Sequence, residues 1–448
     1  MAAETHHDIS LDENFVFSPI LKKNIFIILG IGVLLFIIGL VLLIMGGSHD
    51  EHHAATSSAN DLLASVSGGV EHAEGAHEGG HHGSPSWLQR LYANLWINNV
   101  FFTGISLVGV FFFAIQYAAS AGWSSGIIRV MIGMSRFLPY AFVLMLVVFL
   151  LANHDLFHWT HQYLFDKNSP EYDEVIDGKK GFLNIPFYLT RMVFFFSVWL
   201  FFSWALRKES AREDLEGGTK IYRKLVKMSA VFLIFFAVSS SISAWDWVMS
   251  IDTHWYSTMF GWYVFASWFV SGLSAITLFV IVLNEMGYLK FITESHLHDL
   301  GKFVFAFSIF WTYIWFSQFL LIYYANIPEE TVYFWERLSS DNYAKFVFIN
   351  LILNFFFPFL GLMTRDAKRK TTILKLVCTV VLVGHWLDFY LMITPGTLKA
   401  AGGFGFLEIG LAMIYLAGFL LVVFQGFTKG NLIPKNHPMI QECLHHSV

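Results

Sequence analysis

The chain has 448 residues, 56% of them hydrophobic and only 14% charged, far below the roughly one-quarter charged residues of soluble domains, so it belongs in a membrane. The net charge of −5 argues against nucleic-acid binding, which calls for a basic surface. Two cysteines, Cys378 and Cys443, are too few for a disulfide framework, a covalent haem attachment or an iron–sulfur cluster.

A bilayer core of about 30 Å needs about 20 apolar residues of helix. Ten runs meet this length: roughly 24–46, 95–118, 128–151, 183–206, 225–245, 255–284, 302–325, 343–363, 371–393 and 404–427. They predict an all-α polytopic membrane protein. The first run follows an acidic N-terminus, and MGGSHDEHH after it offers no small-residue cleavage site. It reads as a retained helix rather than a signal peptide. Residues 47–86 then hold seven of the nineteen histidines among Ser, Ala, Gly and Glu. That composition reads as a disordered, solvated linker. A weak Zn or Cu site is the other reading, but no fixed ligand spacing supports a closed one. After the third run, His154, His158 and His161 repeat at helical spacing, as in an amphipathic interfacial helix, with a metal site as the alternative.

Lys and Arg divide unevenly between the loops, 18 on one side and 7 on the other. By the positive-inside rule both termini face the cytoplasm, and residues 246–253 face the periplasm.

Ionisable groups inside a bilayer are costly unless paired or hydrated, so each is a candidate functional residue. Arg191 lies in the outer-to-middle part of the fourth run, and Asp246 ends the fifth. Asp252 and His254 open the sixth, where Asp252 is positioned to cap the helix. Thr312, Ser317 and Gln318 follow in the seventh, and Glu408 sits a turn inside the tenth. His385 and Asp388, three apart in the ninth, share one helical face. The inner half holds Arg136, Glu285, Asn350, Asn354 and Lys375. Plainer roles exist for several. Asp246 and Asp252 could be helix-end residues, Arg191 the partner of a neighbouring carboxylate, Lys375 a snorkelling cation, and the two asparagines interhelical glue. His385 is the only histidine deep in a helix and has no evident partner for axial haem ligation. Phosphate-binding glycine loops and G-x-S-x-G motifs are absent.

WDWVMSIDTHWYSTMFGWY (245–263), followed by FWTYIWFSQFLLIYYANIPEET (310–331) and preceded by GFLNIPFYLTR (181–191), resembles the ActF-type membrane subunits of alternative complex III, a bacterial quinol:cytochrome c oxidoreductase. Those subunits belong to the NrfD-like family, with the membrane subunits of polysulfide reductases. The resemblance spans the second to tenth helices. It implies four-helix bundles over 92–245 and 246–393, flanked by the first helix and a last helix within 394–427; hydropathy and charge add a cytoplasmic stretch 1–23, a helix 24–46, a linker 47–91 and a cytoplasmic tail 428–448. It further implies the bacterial inner membrane and a quinol, menaquinone or ubiquinone, near the outer face. Haem and iron–sulfur centres would sit in partner subunits, beside a paralogous NrfD-like subunit and, as a further candidate partner, a terminal oxidase.

A chain without its own redox centre passes electrons only as part of a complex. The preferred reading is a subunit of a quinol-oxidising respiratory complex. Asp246, Asp252, His254 and Asp388 would handle protons; Arg191, Ser317, Gln318, His385, Glu408, Arg136, Glu285, Asn350, Asn354 and Lys375 would line a quinol or proton path. Asparagine at 252 or 388 should then spare assembly and slow turnover. The alternatives are a proton-conducting or scaffolding subunit with no quinone site, and a stand-alone transporter. Pro139 and Pro358 interrupt the third and eighth helices but do not correspond between the two bundles. A lipid-accessible apolar cleft would favour the quinone reading, a file of polar groups the proton path.

Overall fold

The computed structural model describes residues 11–65 and 87–447, with backbone only for 46–65 and 400. Among the described residues there are ten helices long and apolar enough to cross a membrane. They are α1 (Pro19–Ser65), α2 (Trp87–Ala118), α3 (Ile128–Leu156), α4 (Ile185–Glu216), α5 (Thr219–Trp247), α6 (Phe260–Glu285), α7 (Glu294–Ala325), α8 (Ala344–Gly361), α9 (Thr371–Leu398) and α10 (Phe406–Phe427). No strand occurs among the described residues. The chain is an all-α polytopic membrane protein, as a bilayer demands of a backbone that must satisfy its own hydrogen bonds.

Local chemistry sets the helix ends. Asn184 accepts from the Phe187 amide at 2.9 Å, with Pro186 in the first turn of α4. Glu408 reaches back to the Gly405 amide at 2.7 Å at the start of α10. Pro358 has no N–H to give the Asn354 carbonyl, and its ring crowds that carbonyl; α8 answers with a π turn over Ile352–Phe356.

Three boundaries differ from the sequence reading. The α1 helix continues through Ser65, so 47–65 is helical rather than a disordered linker; 66–86, with the histidines at 72, 77, 81 and 82, lies outside the described residues. The α6 helix begins at Phe260, after a 3-10 turn over Met249–Ile251, so Asp252 does not cap it and His254 is not in its first turn. Finally, α3 ends at Leu156 and two 3-10 turns carry His158 and the residues after His161, replacing the expected interfacial helix.

Helix α2 packs against α3 and α5, with α4 completing that group against α5; α6 packs against α7 and α9, with α8 against α9. The two groups meet where α2 touches α6 and α9, and glycines allow the contact: a Cβ on Gly104 would lie 1.9 Å from the Trp268 ring, and one on Gly272 2.2 Å from Val108. The α1 helix rests mainly on α10. Gly410 comes so close to it that an added Cβ would stand 2.4 Å from the Phe36 nitrogen. Both ends of the described chain meet at one end of the bundle, where Leu432 N donates to Glu13 O at 2.9 Å and Leu289 N to the Glu13 carboxylate at 2.7 Å. That end is called inner, and the end bearing the 246–259 turn outer, after the charge asymmetry.

Candidate functional site

Four helices of the second group converge on one carboxylate. Asp388 of α9 is fully buried. Its Oδ1 accepts from Tyr263 Oη (α6) at 2.5 Å and from Asn350 Nδ2 (α8) at 2.8 Å. Its Oδ2 accepts from Trp311 Nε1 (α7) at 2.9 Å and from the Ser267 hydroxyl (α6). Helical spacing explains part of this: Tyr263 and Ser267 are four apart on one face of α6. Among the described residues, no Lys or Arg pairs with Asp388. The nearest ionisable nitrogen is His385 Nδ1, 3.9 Å from Oδ2. His385 is itself fully buried, and among the described residues neither ring nitrogen has a hydrogen-bond partner. A buried carboxylate held only by neutral donors thus lies beside a buried imidazole, the kind of pairing that marks sites of proton exchange.

Polar groups lead from Asp388 in both directions. Inward, Asn354 Nδ2 donates to Asn350 Oδ1 at 2.6 Å, while Asn354 Oδ1 is unpartnered. Asn354 lies in the π turn, an irregularity that often marks functional helices. Ser271, Ser274 and Thr277 continue inward from Ser267 along α6, all fully buried, and Ser274 Oγ has no partner. Outward, a cavity of about 20 Å³ is lined by Tyr263, Gln318, Tyr333, Arg337, Asn350 and Asp388, room for about one water. The Gln318 amide nitrogen there is unpartnered.

Tyr333 also lines a vestibule of about 930 Å³ open at the outer end. Tyr333 and Arg337 belong to a short helix, Pro328–Leu338, lying across the mouth between α7 and α8. Arg337 Nη2 donates to Asp252 Oδ2 at 2.9 Å, and its other nitrogens reach the carbonyls of Leu391 and Tyr333. Its guanidinium lies 3.4 Å from the Tyr333 ring centre. Tyr333 in turn stacks on Trp255 at 4.0 Å. The vestibule wall carries His154, His158, His161, His254, Glu329 and Glu336. The Glu336 carboxyl is pushed up by burial and by the charge of Asp252, partly offset by Arg337. Asp173 receives His254 Nε2 at 2.5 Å. Burial favours the neutral form of Asp173, yet the Ile176 amide and His254 outweigh it and hold the carboxyl below its ordinary range.

The other sequence candidates lie apart from this file. Asp246 is held by Arg191 through two hydrogen bonds, 2.7 and 2.8 Å, with the guanidinium between Phe182 and Phe187. Glu408 is held by Arg90 at 2.7 and 2.9 Å and by Asn94 at 3.0 Å. Lys375 pairs with Glu285 at 2.6 Å on the exposed surface. Ser317 turns its hydroxyl to the Ile314 carbonyl, and Arg136 lies in an inner-end basic pocket. The outer polar residues therefore form separate sites rather than one cluster, and Asn350 joins Asp388 rather than an inner group. The rings of His158 and His161 lie 5.7 Å apart, those of His154 and His161 5.3 Å; among the described residues no three His, Cys, Asp or Glu are grouped to hold a metal.

Sequence reasoning passed over Tyr263, Ser267, Trp311, Tyr333, Arg337 and Glu336. The one available signal was the amphipathic pattern of PEETVYFWERL. No protein-family model matches the chain, and no curated protein matches it.

Proposed function

We propose that the chain is a proton-conducting membrane subunit of a quinol-oxidising respiratory complex of the ActF type, with Asp388 as its central proton-exchanging group and quinol oxidation carried out on a neighbouring subunit. The observation that carries this reading is the buried Asp388 with four neutral donors and no paired cation, between an inward polar file and an outward water-sized cavity. The complex assignment comes from the two long motifs at 245–263 and 310–331 and from the absence of residues for a covalent redox centre in the sequence. A cavity of about 20 Å³ is far below the several hundred Å³ of a cofactor pocket, which favours a proton path over a quinone site at Asp388. The vestibule has the volume, but four histidines and several carboxylates line it, a wall suited to proton exchange with water rather than to an isoprenoid quinone.

A proton from the inner side would pass along Asn354 and Asn350 with intervening water, rest on Asp388 or His385, and leave through the Tyr263 and Tyr333 hydroxyls toward Glu336 and His254. The test is the native complex in proteoliposomes, with proton release and quinol oxidation measured together. Asp388→Asn should abolish most transmembrane proton movement, while uncoupler-treated vesicles retain quinol oxidation. Proton movement per electron unchanged in an assembled Asp388→Asn complex would sink the reading.

A further inference from the structure

At the inner end, far from Asp388, a second pocket opens between α3, α4 and α10. Its cavity holds about 100 Å³ and is lined by Arg129, Arg136, Arg207 and Lys429, with no acidic residue in the wall. Arg129 is neutralised by Asp214 at 2.6 Å. The other three cations are not: among the described residues the Arg207 guanidinium has only the Ser135 hydroxyl at 3.2 Å, and neither the Arg136 nor the Lys429 side chain has a hydrogen-bonding or ionic partner. Gly426 makes room for this arrangement, because an added Cβ would stand 2.2 Å from Arg136 Cδ. The α10 helix thus keeps a bare spot over which Arg136 lies and directs its guanidinium into the pocket. Assembling three uncompensated cations costs self-repulsion that an anion would relieve.

The depth and surroundings say which anion. Arg207 is the first charge after the apolar run of α4, and Lys429 follows the last apolar turn of α10, so the pocket lies at headgroup level. Bare apolar surface runs from Arg136 and Arg207 into the bilayer: Tyr140, Val143, Val147 and Leu151 on α3 are 56, 56, 45 and 67% exposed, at helical spacing from Arg136. On α4 Trp204, Phe201 and Phe194 are 53, 56 and 54% exposed, below Arg207. An arginine pair matches phosphate oxygens by charge-assisted, forked hydrogen bonds, and the exposed stripes suit acyl chains.

We propose that Arg136, Arg207 and Lys429 bind a phosphate group at the inner membrane surface, carried by an anionic phospholipid whose acyl chains lie along α3 and α4. This site is independent of the proton path. The test uses the full chain in nanodiscs of phosphatidylcholine containing phosphatidylglycerol, with retained lipids counted by native mass spectrometry after detergent release. Wild type should retain phosphatidylglycerol over phosphatidylcholine, and Arg136→Gln with Arg207→Gln should weaken that preference about tenfold or more, given about 1 kcal/mol per basic residue at a charged surface. Arg136→Lys with Arg207→Lys, which keeps the charges and loses the forked hydrogen bonds, should retain a preference between those of wild type and the Gln double variant. Should the Gln double variant not assemble, the exposed Lys429→Gln carries the test and should weaken the preference severalfold. Undiminished preference in an assembled Gln variant overturns the proposal. Displacement of the lipid by millimolar inorganic phosphate overturns the lipid assignment and makes the pocket a soluble-anion site.

Discussion

Arg337 ties the short helix Pro328–Leu338 to Asp252, Nη2 to Oδ2 2.9 Å, while Nε and the same Nη2 reach the Leu391 and Met392 carbonyls in the outer part of α9. Arg337 is 5% exposed, so this pair positions the surface helix as well as screening the carboxylate. Asp252→Asn should therefore lower the stability of the protein, where the proton-handling reading of the sequence expects assembly to be spared, because it strands a buried guanidinium. Breaking such a pair costs about 3–5 kcal/mol when it is fully buried. The vestibule wets one side of this one, so a smaller loss is expected. Asp252→Asn together with Arg337→Met should recover part of it. Thermal unfolding in detergent measures both, and an Asp252→Asn protein as stable as wild type would remove the positioning role.

Glu336 gives a pH-dependent signature beside that pair. Its folded-state pKa is raised by burial and by Asp252, so its neutral form stabilises the fold below the ordinary glutamate pKa. That contribution is lost as pH rises through the folded value. Glu336→Gln, which keeps the neutral shape, should be more heat-stable than wild type near pH 8 and indistinguishable from it near pH 4. A stability difference independent of pH would assign the effect to packing instead.

The ten spans were legible because hydropathy over some 20 residues is a property of composition. The facing of His385 and Asp388 was legible because helical spacing is local. The partners of Asp388 were not, since Tyr263, Trp311 and Asn350 lie 125, 77 and 38 residues away and only helix packing brings them together. Arg191 and Asp246 were each visible, and the sequence allowed their pairing without choosing it over a free carboxylate. The start of α6 was misplaced because Trp255, Tyr256 and Met259 continue the apolar run while the backbone between 252 and 259 is turn. Aromatic residues at an interface carry hydropathy without carrying helix.

The tail after α10 docks through His437, whose ring meets Tyr117 at 5.5 Å and Tyr222 at 5.4 Å. Burial and the nearby Arg129 lower its pKa to about 4. The unfolded tail binds a proton more readily than the docked one, so docking is complete above about pH 6.5. It weakens as pH falls toward the folded value. Hydrogen exchange over 431–447 should rise between pH 6.5 and 4, after correction for intrinsic rates, and His437→Phe should flatten that rise. Equal protection at both ends of the range would exclude His437 as the acid-sensitive contact.

At the seam between the two helix groups Gly104 faces Trp268, whose Nε1 donates to the Val100 carbonyl at 3.2 Å. A methyl group at 104 would stand 1.9 Å from the indole, and neither helix can retreat without opening the α2–α6 contact. Gly104→Ala should cost at least the 1–3 kcal/mol typical of overpacking, read as a lower melting temperature. Gly418, which has nothing within 4 Å of an added Cβ, is the control and should tolerate alanine.

Asn350 and Asn354 separate holding Asp388 from conducting to it. Asn350 donates to Asp388 at 2.8 Å and accepts from Asn354 at 2.6 Å, whereas Asn354 makes no contact with the carboxylate in the hydrogen-bond network. Leucine matches asparagine in heavy atoms and offers no hydrogen bond. Asn350→Leu should remove one of four donors from a buried carboxylate and strand the Asn354 amide, costing about 1–3 kcal/mol. Proton transfer should fall with it. Asn354→Leu leaves all four donors on Asp388 and strands only Asn350 Oδ1, so stability should fall by less than in Asn350→Leu. Yet it puts an apolar group where the polar file enters from the inner side. If protons reach Asp388 through α8, Asn354→Leu should slow proton uptake as much as Asn350→Leu while melting above it. If they arrive along Ser271 and Ser274 of α6 instead, Asn354→Leu should leave uptake untouched, and Ser274→Ala should slow it. Proton uptake in proteoliposomes, normalised to intact complex, distinguishes the two routes. Normal uptake in all three variants would leave Asp388 without an inward path and return the four-donor site to a purely structural role.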